Sequence, residues 1–270
     1  MQKLLGRALL VLTLALWPAL ASAQAHEAAL TVVHGVPDLV VDVYANGNKV
    51  LSDFTFGTVT QPLPLAPGTY KLEIRPAGAD PTSAPVLQAE ATLSAGQNAS
   101  AVAHLSANGQ PQLSLFVNDT SPVPSGKGRL IVRHTAQAPA VDVRAGGTVL
   151  FANLANPNEA KADVDAATYA VDLTPAGQAT VVFGPVDLPV AAGAATIVYA
   201  IGSLEGNSFR LVTQVITGLG APPAQVGTGL GAVPQQVTLP WQLVLAILAL
   251  IAVSTISVAP RPAFLRRRHR

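Results

Sequence analysis

Two histidine–aspartate pairs are the residues in this sequence most suited to chemistry. His34 and Asp42 stand eight positions apart across a Pro-bearing turn, and His134 and Asp142 repeat the arrangement. An imidazole beside a carboxylate on an adjoining strand can ligate a metal or act as a base. The same residues can instead be architectural, with the Asp accepting turn N–H groups or holding the ring and so pinning the connection between two strands. Duplication favours the architectural reading, because a fold requirement must be met in both copies and an active site need not be. A zinc centre needs further ligands at ligand spacing, and nothing near either pair supplies them. The expectation is no catalytic residue, no cofactor and no metal, with His34, Asp42, His134 and Asp142 as the candidates should a ligand be held.

Other chemistry is thinly represented. Asn156 to Asp165 is rich in oxygen donors that suit a hard cation, but Lys161 interrupts it and its spacing fits no EF-hand. An exposed polar loop is the expected role. There is no Gly-x-Ser-x-Gly elbow, and Gly227-Thr228-Gly229-Leu230-Gly231 resembles a phosphate loop only in composition. Asn98-Ala99-Ser100 and Asn118-Asp119-Thr120 are formal glycosylation sequons. The absence of cysteine excludes a disulfide scaffold, a thiolate metal site and a lipidated-Cys anchor. Trp17 and Trp241 both fall in the terminal segments, so the middle of the chain offers no obvious platform for stacking sugars.

The elements that must position the two pairs are strands, and they are written twice. At an offset of about 100, His34 matches His134 and Val41-Asp42-Val43 matches Val141-Asp142-Val143; at 99, Tyr70 matches Tyr169 and Pro76-Ala77-Gly78 matches Pro175-Ala176-Gly177. The order is kept while the offset shrinks by small deletions, as in a duplicated domain. Thr69 to Arg75 alternates strictly, with Tyr70, Leu72 and Ile74 on one face, and Leu87, Ala89, Ala91 and Leu93 line one face of a second run. Asn46-Gly47, Ala66-Pro67-Gly68, Asn108-Gly109, Gly146-Gly147 and Gly206-Asn207 mark turns. Ala99–Leu105 and Gln112–Val117 should form a hairpin, with Thr196–Ile201 and Phe209–Val215 as its counterpart. The predicted fold is all-β: two tandem antiparallel β-sandwich (immunoglobulin-like) domains plus one C-terminal transmembrane helix.

The ends supply an address. Residues 1–23 read as a signal peptide, with Lys3 and Arg7 ahead of an apolar run and Ala21-Ser22-Ala23 as the cleavage site; Ala23-Gln24-Ala25 offers a second site, and an uncleaved anchor is the alternative. No charged residue occurs from Leu211 to Pro260. Within that stretch, Trp241 to Ala259 is long enough at ~1.5 Å per residue to cross a hydrocarbon core of ~30 Å. The arginines at 261, 266, 267, 268 and 270 place the tail inside the cell and the repeats outside it. Leu239-Pro240-Trp241-Gln242 lacks the Thr-Gly of a sortase signal, so covalent wall attachment has no support. The resulting layout is a signal peptide at 1–23, a first repeat at 24–120, a Pro/Ser/Gly linker at 121–127, a second repeat at 128–217, a stalk at 218–240, a helix at 241–259 and a basic tail at 260–270. The linker prolines should hold the two repeats apart.

With the repeat in view, the chain resembles the DUF4397 family, a domain of unknown function found in exported bacterial proteins. The resemblance rests on Val32-Val33-His34-Gly35-Val36-Pro37-Asp38 followed by Val41-Asp42-Val43-Tyr44, and on Gly68-Thr69-Tyr70. In the second unit it rests on Val132-Arg133-His134-Thr135, Pro139 to Val143, and Ala167-Thr168-Tyr169. It covers roughly residues 28–216 as two tandem copies and implies export and a β-sandwich, but no activity. Between residues 24 and 240 nine basic side chains face fifteen acidic ones, a net charge of −6 that repels phosphate backbones and argues against nucleic acid as a partner. The expected partners are the bilayer, through 241–259, and an unknown extracellular protein or envelope polymer. The functional expectation is a membrane-anchored, non-enzymatic structural or binding module of the cell envelope. The alternative is a ligand- or metal-ion-binding surface sensor built on the His/Asp turn.

Overall fold

Alternating apolar residues bounded by Gly, Asn and Pro turns give sixteen strands in the computed structural model, which describes residues 26–220. The first eight are β1 (Ala28–Gly35), β2 (Val41–Ala45), β3 (Asn48–Phe54), β4 (Leu63–Leu65), β5 (Gly68–Pro76), β6 (Leu87–Leu93), β7 (Asn98–Leu105) and β8 (Pro111–Val117). The second eight are β9 (Lys127–His134), β10 (Val141–Ala145), β11 (Thr148–Leu154), β12 (Glu159–Asp165), β13 (Ala167–Pro175), β14 (Phe183–Val190), β15 (Ala195–Ile201) and β16 (Arg210–Ile216). The signal peptide, residues 221–240 of the stalk, the helix at 241–259 and the basic tail lie outside the described residues.

Each set of eight makes two four-stranded sheets. The first pair has the orders β4-β1-β7-β8 and β3-β2-β5-β6, and the second repeats them as β12-β9-β15-β16 and β11-β10-β13-β14. Leu30, Val32, Ala99 and Ala101 of one sheet bury against Val41, Val43, Leu72, Ile74 and Leu93 of the other, so each half is a sandwich with its own core. The sheets are not purely antiparallel as expected: β1 runs parallel to β7, and β9 parallel to β15. The reason is topological, because β7 returns beside β1 from the opposite sheet instead of folding back in a hairpin.

The alternation read from Leu87 to Leu93 holds, with Ala91 and Leu93 buried. For β5 only the inward face follows the expectation. Glu73 and Arg75, expected on a polar outer face, are also buried: Arg75 lies over the Tyr44 ring at 4.8 Å, donates from Nε to the Ser83 carbonyl at 3.0 Å and pairs with Glu73. Asn156 to Asp165 is likewise no loop. Its second half is β12, an edge strand paired with β9 from Glu159↔Arg133 to Asp165↔Lys127. Ala160 and Val164 face the core, while the charged face meets the basic residues of β9.

A tyrosine corner locks each sandwich. Tyr70 Oη donates to the Ala66 carbonyl at 2.7 Å, and Tyr169 Oη to the Asp165 carbonyl at 2.8 Å, each reaching four residues back over the turn that enters β5 or β13. Tyr70→Phe keeps the ring and loses one bond, so urea unfolding should show a loss of about 1 kcal/mol. Tyr169→Phe should match it.

The linker does not hold the halves apart. Both sandwiches belong to one compact unit, and their β1/β7 and β9/β15 sheets pack face to face through Val33, Val102, Ile131, Ile197, Tyr199 and Ile201. The linker itself is tied down. Arg129 binds Asp163 through Nε and Nη2 at 2.8 and 3.0 Å, and its Nη1 reaches the Ser121 carbonyl and Asp119 Oδ1 at 3.0 and 2.9 Å. Val123 is fully buried and its N–H bonds the Leu219 carbonyl. Proline stiffness is outweighed by an apolar face that each sandwich would otherwise leave in water.

Candidate functional site

The structure gives the two residues of each pair, eight positions apart in the sequence, separate work. His34 is buried at the end of β1; its Nε2–H donates to the Leu39 carbonyl at 2.9 Å, and its Nδ1 accepts from the Val36 N–H at 3.3 Å. His134 does the same at the end of β9, with the Pro139 carbonyl at 3.0 Å and the Ala136 N–H at 3.5 Å. Each ring therefore staples its own loop. Burial pushes the pKa of both imidazoles down, against the raising effect of those carbonyls.

The aspartates clamp other turns. Asp42 Oδ1 accepts from the Asp53 N–H at 3.0 Å, and its Oδ2 takes Lys49 Nζ at 2.6 Å and the Gly78 N–H at 3.3 Å. Asp142 accepts from the Asn153 and Gly177 N–H groups at 2.7 and 2.8 Å. Asp53, Gly78, Asn153 and Gly177 all have positive φ, near +51°, +73°, +53° and +74°. Each carboxylate thus holds two left-handed backbone positions in place, which is a fold requirement met twice. Lys49 and the turn amides hold the Asp42 carboxyl below the usual range, and the Asn153 and Gly177 amides do so for Asp142. Both lone-pair sets face donors, which leaves this turn ill suited to ligating an ion. Among the described residues no group of three His, Asp or Glu side chains gathers at metal-ligand distance.

A different region has the shape of a recognition surface. Strand directions put the turns at 46–47, 66–67, 94–97, 146–147 and 191–194 at one end of the unit, and the tight Asn108-Gly109 turn at the other. The entry at His26, the linker at Val123 and the exit at Leu219 lie at this same end, joined by Gly96 N–H to His26 O, Gly193 N–H to Lys127 O and Leu219 N–H to Gly193 O, each at 2.8–3.0 Å. The longer loops, 55–62, 77–86, 176–182 and 202–209, lie at the other end. There, where the sandwiches meet, a cleft of about 310 Å³ is lined by Ala107 of the first half and by Gln137, Ala138, Pro139, Leu204 and Glu205 of the second. Gln137 and Ser203 form a parallel bridge along it, and the Gln137 side chain lies against Gly109, where a Cβ would come within 2.9 Å of Nε2. Sequence reasoning missed this cleft. Its walls are short runs of ordinary loop residues, and only the packing of the halves brings them together.

The segment that carries most of these residues is similar to a known family. Residues 28–144 match DUF4397, described as a domain of unknown function. The DUF4397 segment takes in β1 to β8, the linker, β9 and most of β10, so it holds His34, Asp42, His134 and Asp142 together with both faces of the joint. One match covers this stretch, and the second half repeats the strand order of the first. Among curated proteins none matches the chain. Two solved structures share 14% and 11% identity with it. The first is a family CBM26 module from Eubacterium rectale Amy13K in complex with maltoheptaose, with 73% of this chain and 98% of that chain covered and a TM-score of 0.21. The second is described as a candidate cell adhesion protein from Bacteroides ovatus ATCC 8483, with 72% and 99% covered and a TM-score of 0.23. At those TM-scores neither likeness carries an argument about this chain.

Proposed function

We propose that this chain is a non-enzymatic binding module of the cell envelope, exported by residues 1–23 and anchored by a transmembrane helix at 241–259. In this reading the immunoglobulin-like double sandwich lies outside the cell and presents its long loops to an extracellular protein or envelope polymer. The observation that carries it is the polarity of the unit: His26, Val123, Leu219 and most of the short turns are at one end, and the long loops and the inter-sandwich cleft are at the other. A module fixed near residue 220 would point that loop end away from its attachment, and surface loops on a rigid scaffold are where binding residues gather. The His/Asp turn gives a sensor no comparable support, since its polar atoms already serve the backbone.

The test has two arms. In fractionated cells the full chain should be recovered with membranes, and protease added outside intact cells (or spheroplasts, where an outer membrane intervenes) should remove the unit of residues 26–220. Recovery in the soluble cytosol with the leader intact ends the proposal. Binding to isolated envelope material should be lost when 202–209 is replaced by a Gly/Ser loop and kept when Asn46-Gly47 is replaced. Equal loss in both would remove the loop end as the binding surface.

A further inference from the structure

His104 sits where the two sandwiches meet, and nothing in the functions above uses it. It is fully buried on β7, on the face turned toward the second half: Ala101, Ala103 and Leu105 alternate into the first core, while Ser100 and Val102 point with His104 into the joint. Its Nδ1–H donates to the Leu105 carbonyl at 2.9 Å. Its Nε2 accepts from the Ser114 hydroxyl at 2.9 Å and the Gln112 amide at 3.2 Å, both on β8. From the second half, Asn156 Nδ2 bonds the Leu105 carbonyl and the Ala136 carbonyl at 2.8 and 2.6 Å, and so stitches the sandwiches together beside the ring. His134 on β9 is the charged or titratable neighbour that acts on His104, and no carboxylate bonds either ring. Arg133, next to it on β9, is turned to Glu159, Tyr199 and the face of Phe116.

We infer that protonation of His104 opens the joint between the sandwiches at its loop end, making the inter-sandwich cleft acid-sensitive. A proton on Nε2 would face the Gln112 N–H₂ donors, and the charge it brings would be opposed by His134 of the second half. Only the Ser114 hydroxyl, by turning round, could accept it, and burial at the joint denies the resulting charge water. Burial, with the His134 charge adding to it, pushes the His104 pKa down to about 4. The open form, in which the ring meets water, takes up its proton near pH 6.5. The closed form therefore keeps its full advantage above pH 6.5 and loses it progressively as pH falls toward 4, by roughly 300-fold over the window. Below that the closed form is protonated too and the loss stops.

The absence of cysteine makes the test clean. Spin labels on A107C and E205C, which line one cleft from opposite halves, should show strong dipolar broadening in the full chain at pH 7.5 that fades between pH 6 and 4. His104→Gln, which does not titrate, should keep the broadening to pH 4. Gln112→Glu, which leaves His104 in place and supplies an acceptor for the proton, should move the loss to lower pH. Broadening that persists to pH 4 in the parent, or a loss unaltered in both variants, would overturn the inference. If His104→Gln does not fold, the Gln112→Glu midpoint decides alone.

Discussion

Arg133→Ala should be the most damaging single substitution in the described unit, lowering stability by about 3–5 kcal/mol. Arg133 has no exposed surface; its Nε donates to Glu159 Oε2 at 2.8 Å and its Nη1 to the Tyr199 hydroxyl at 2.9 Å. From there the network crosses the joint. The Tyr199 hydroxyl lies 2.7 Å from Gln214 Oε1 and 2.8 Å from Ser100 Oγ, and Gln214 Nε2 donates to Thr31 Oγ1 at 3.0 Å. The guanidinium also covers the Phe116 ring of the first sandwich at 4.5 Å. Alanine removes the charge that Glu159 answers and leaves a void against an apolar face. In a unit of this size that corresponds to a fall in Tm of roughly 10 °C. Calorimetry and urea unfolding measure it, and a Met replacement made together with Glu159→Gln should recover part of the loss, because buried ion pairs are often matched by apolar packing. A loss below about 1 kcal/mol from Arg133→Ala would show that the apolar residues hold the joint without the guanidinium.

His34→Ala should cost about 3 kcal/mol, and His134→Ala a similar amount. Removal of the His34 ring leaves the Leu39 carbonyl and the Val36 N–H without their partner and opens space where the imidazole stacks on Phe54, with centroids 5.7 Å apart. The pH sense follows from the lowered pKa. A ring kept neutral by burial contributes fully above its unfolded value near 6.5 and loses that contribution as pH falls below it, because the unfolded chain binds the proton first. The alanine variant should therefore show a flatter stability profile between pH 7 and 5 than the parent. A staple and a metal ligand separate cleanly here: parent melts should coincide in EDTA, zinc and calcium. A zinc-dependent rise that vanishes in His34→Ala would sink the staple.

Much of the fold could be read from local pattern. Val41-Asp42-Val43, Thr69 to Arg75 and Leu87 to Leu93 are strands because period-two alternation reports a half-buried surface directly, and the hairpin around Asn108-Gly109 follows from turn chemistry. The duplicated His and Asp were legible as a pair, but that each Asp bonds two turn amides and each His a different loop is seen only in the fold. What escaped the sequence depends on residues far apart in the chain. Glu159, Lys161 and Asp163 looked like loop residues because their partners, Arg133, Asp119 and Arg129, are distant in sequence. The hairpin that contains β7 was expected, but nothing local says that Ser100, Val102 and His104 face a second sandwich and not water. The cleft at Gln137 and Leu204 follows from that packing and was out of reach for the same reason.

The stitch between Val123 and Leu219 bears on how the unit would carry a mechanical load. The last strand, β16, runs from the loop end at Arg210 to the exit end at Ile216 and pairs with β15 at every position from Ala195↔Ile216 to Ile201↔Arg210. Tension between a partner held by the loops and the chain beyond residue 220 would pull β16 along its own axis. Ladder bonds lie across that axis, so they would be sheared together and not peeled one at a time. The bonds at Val123 and Leu219 are the first in the path of that tension, and would yield before the strand slides.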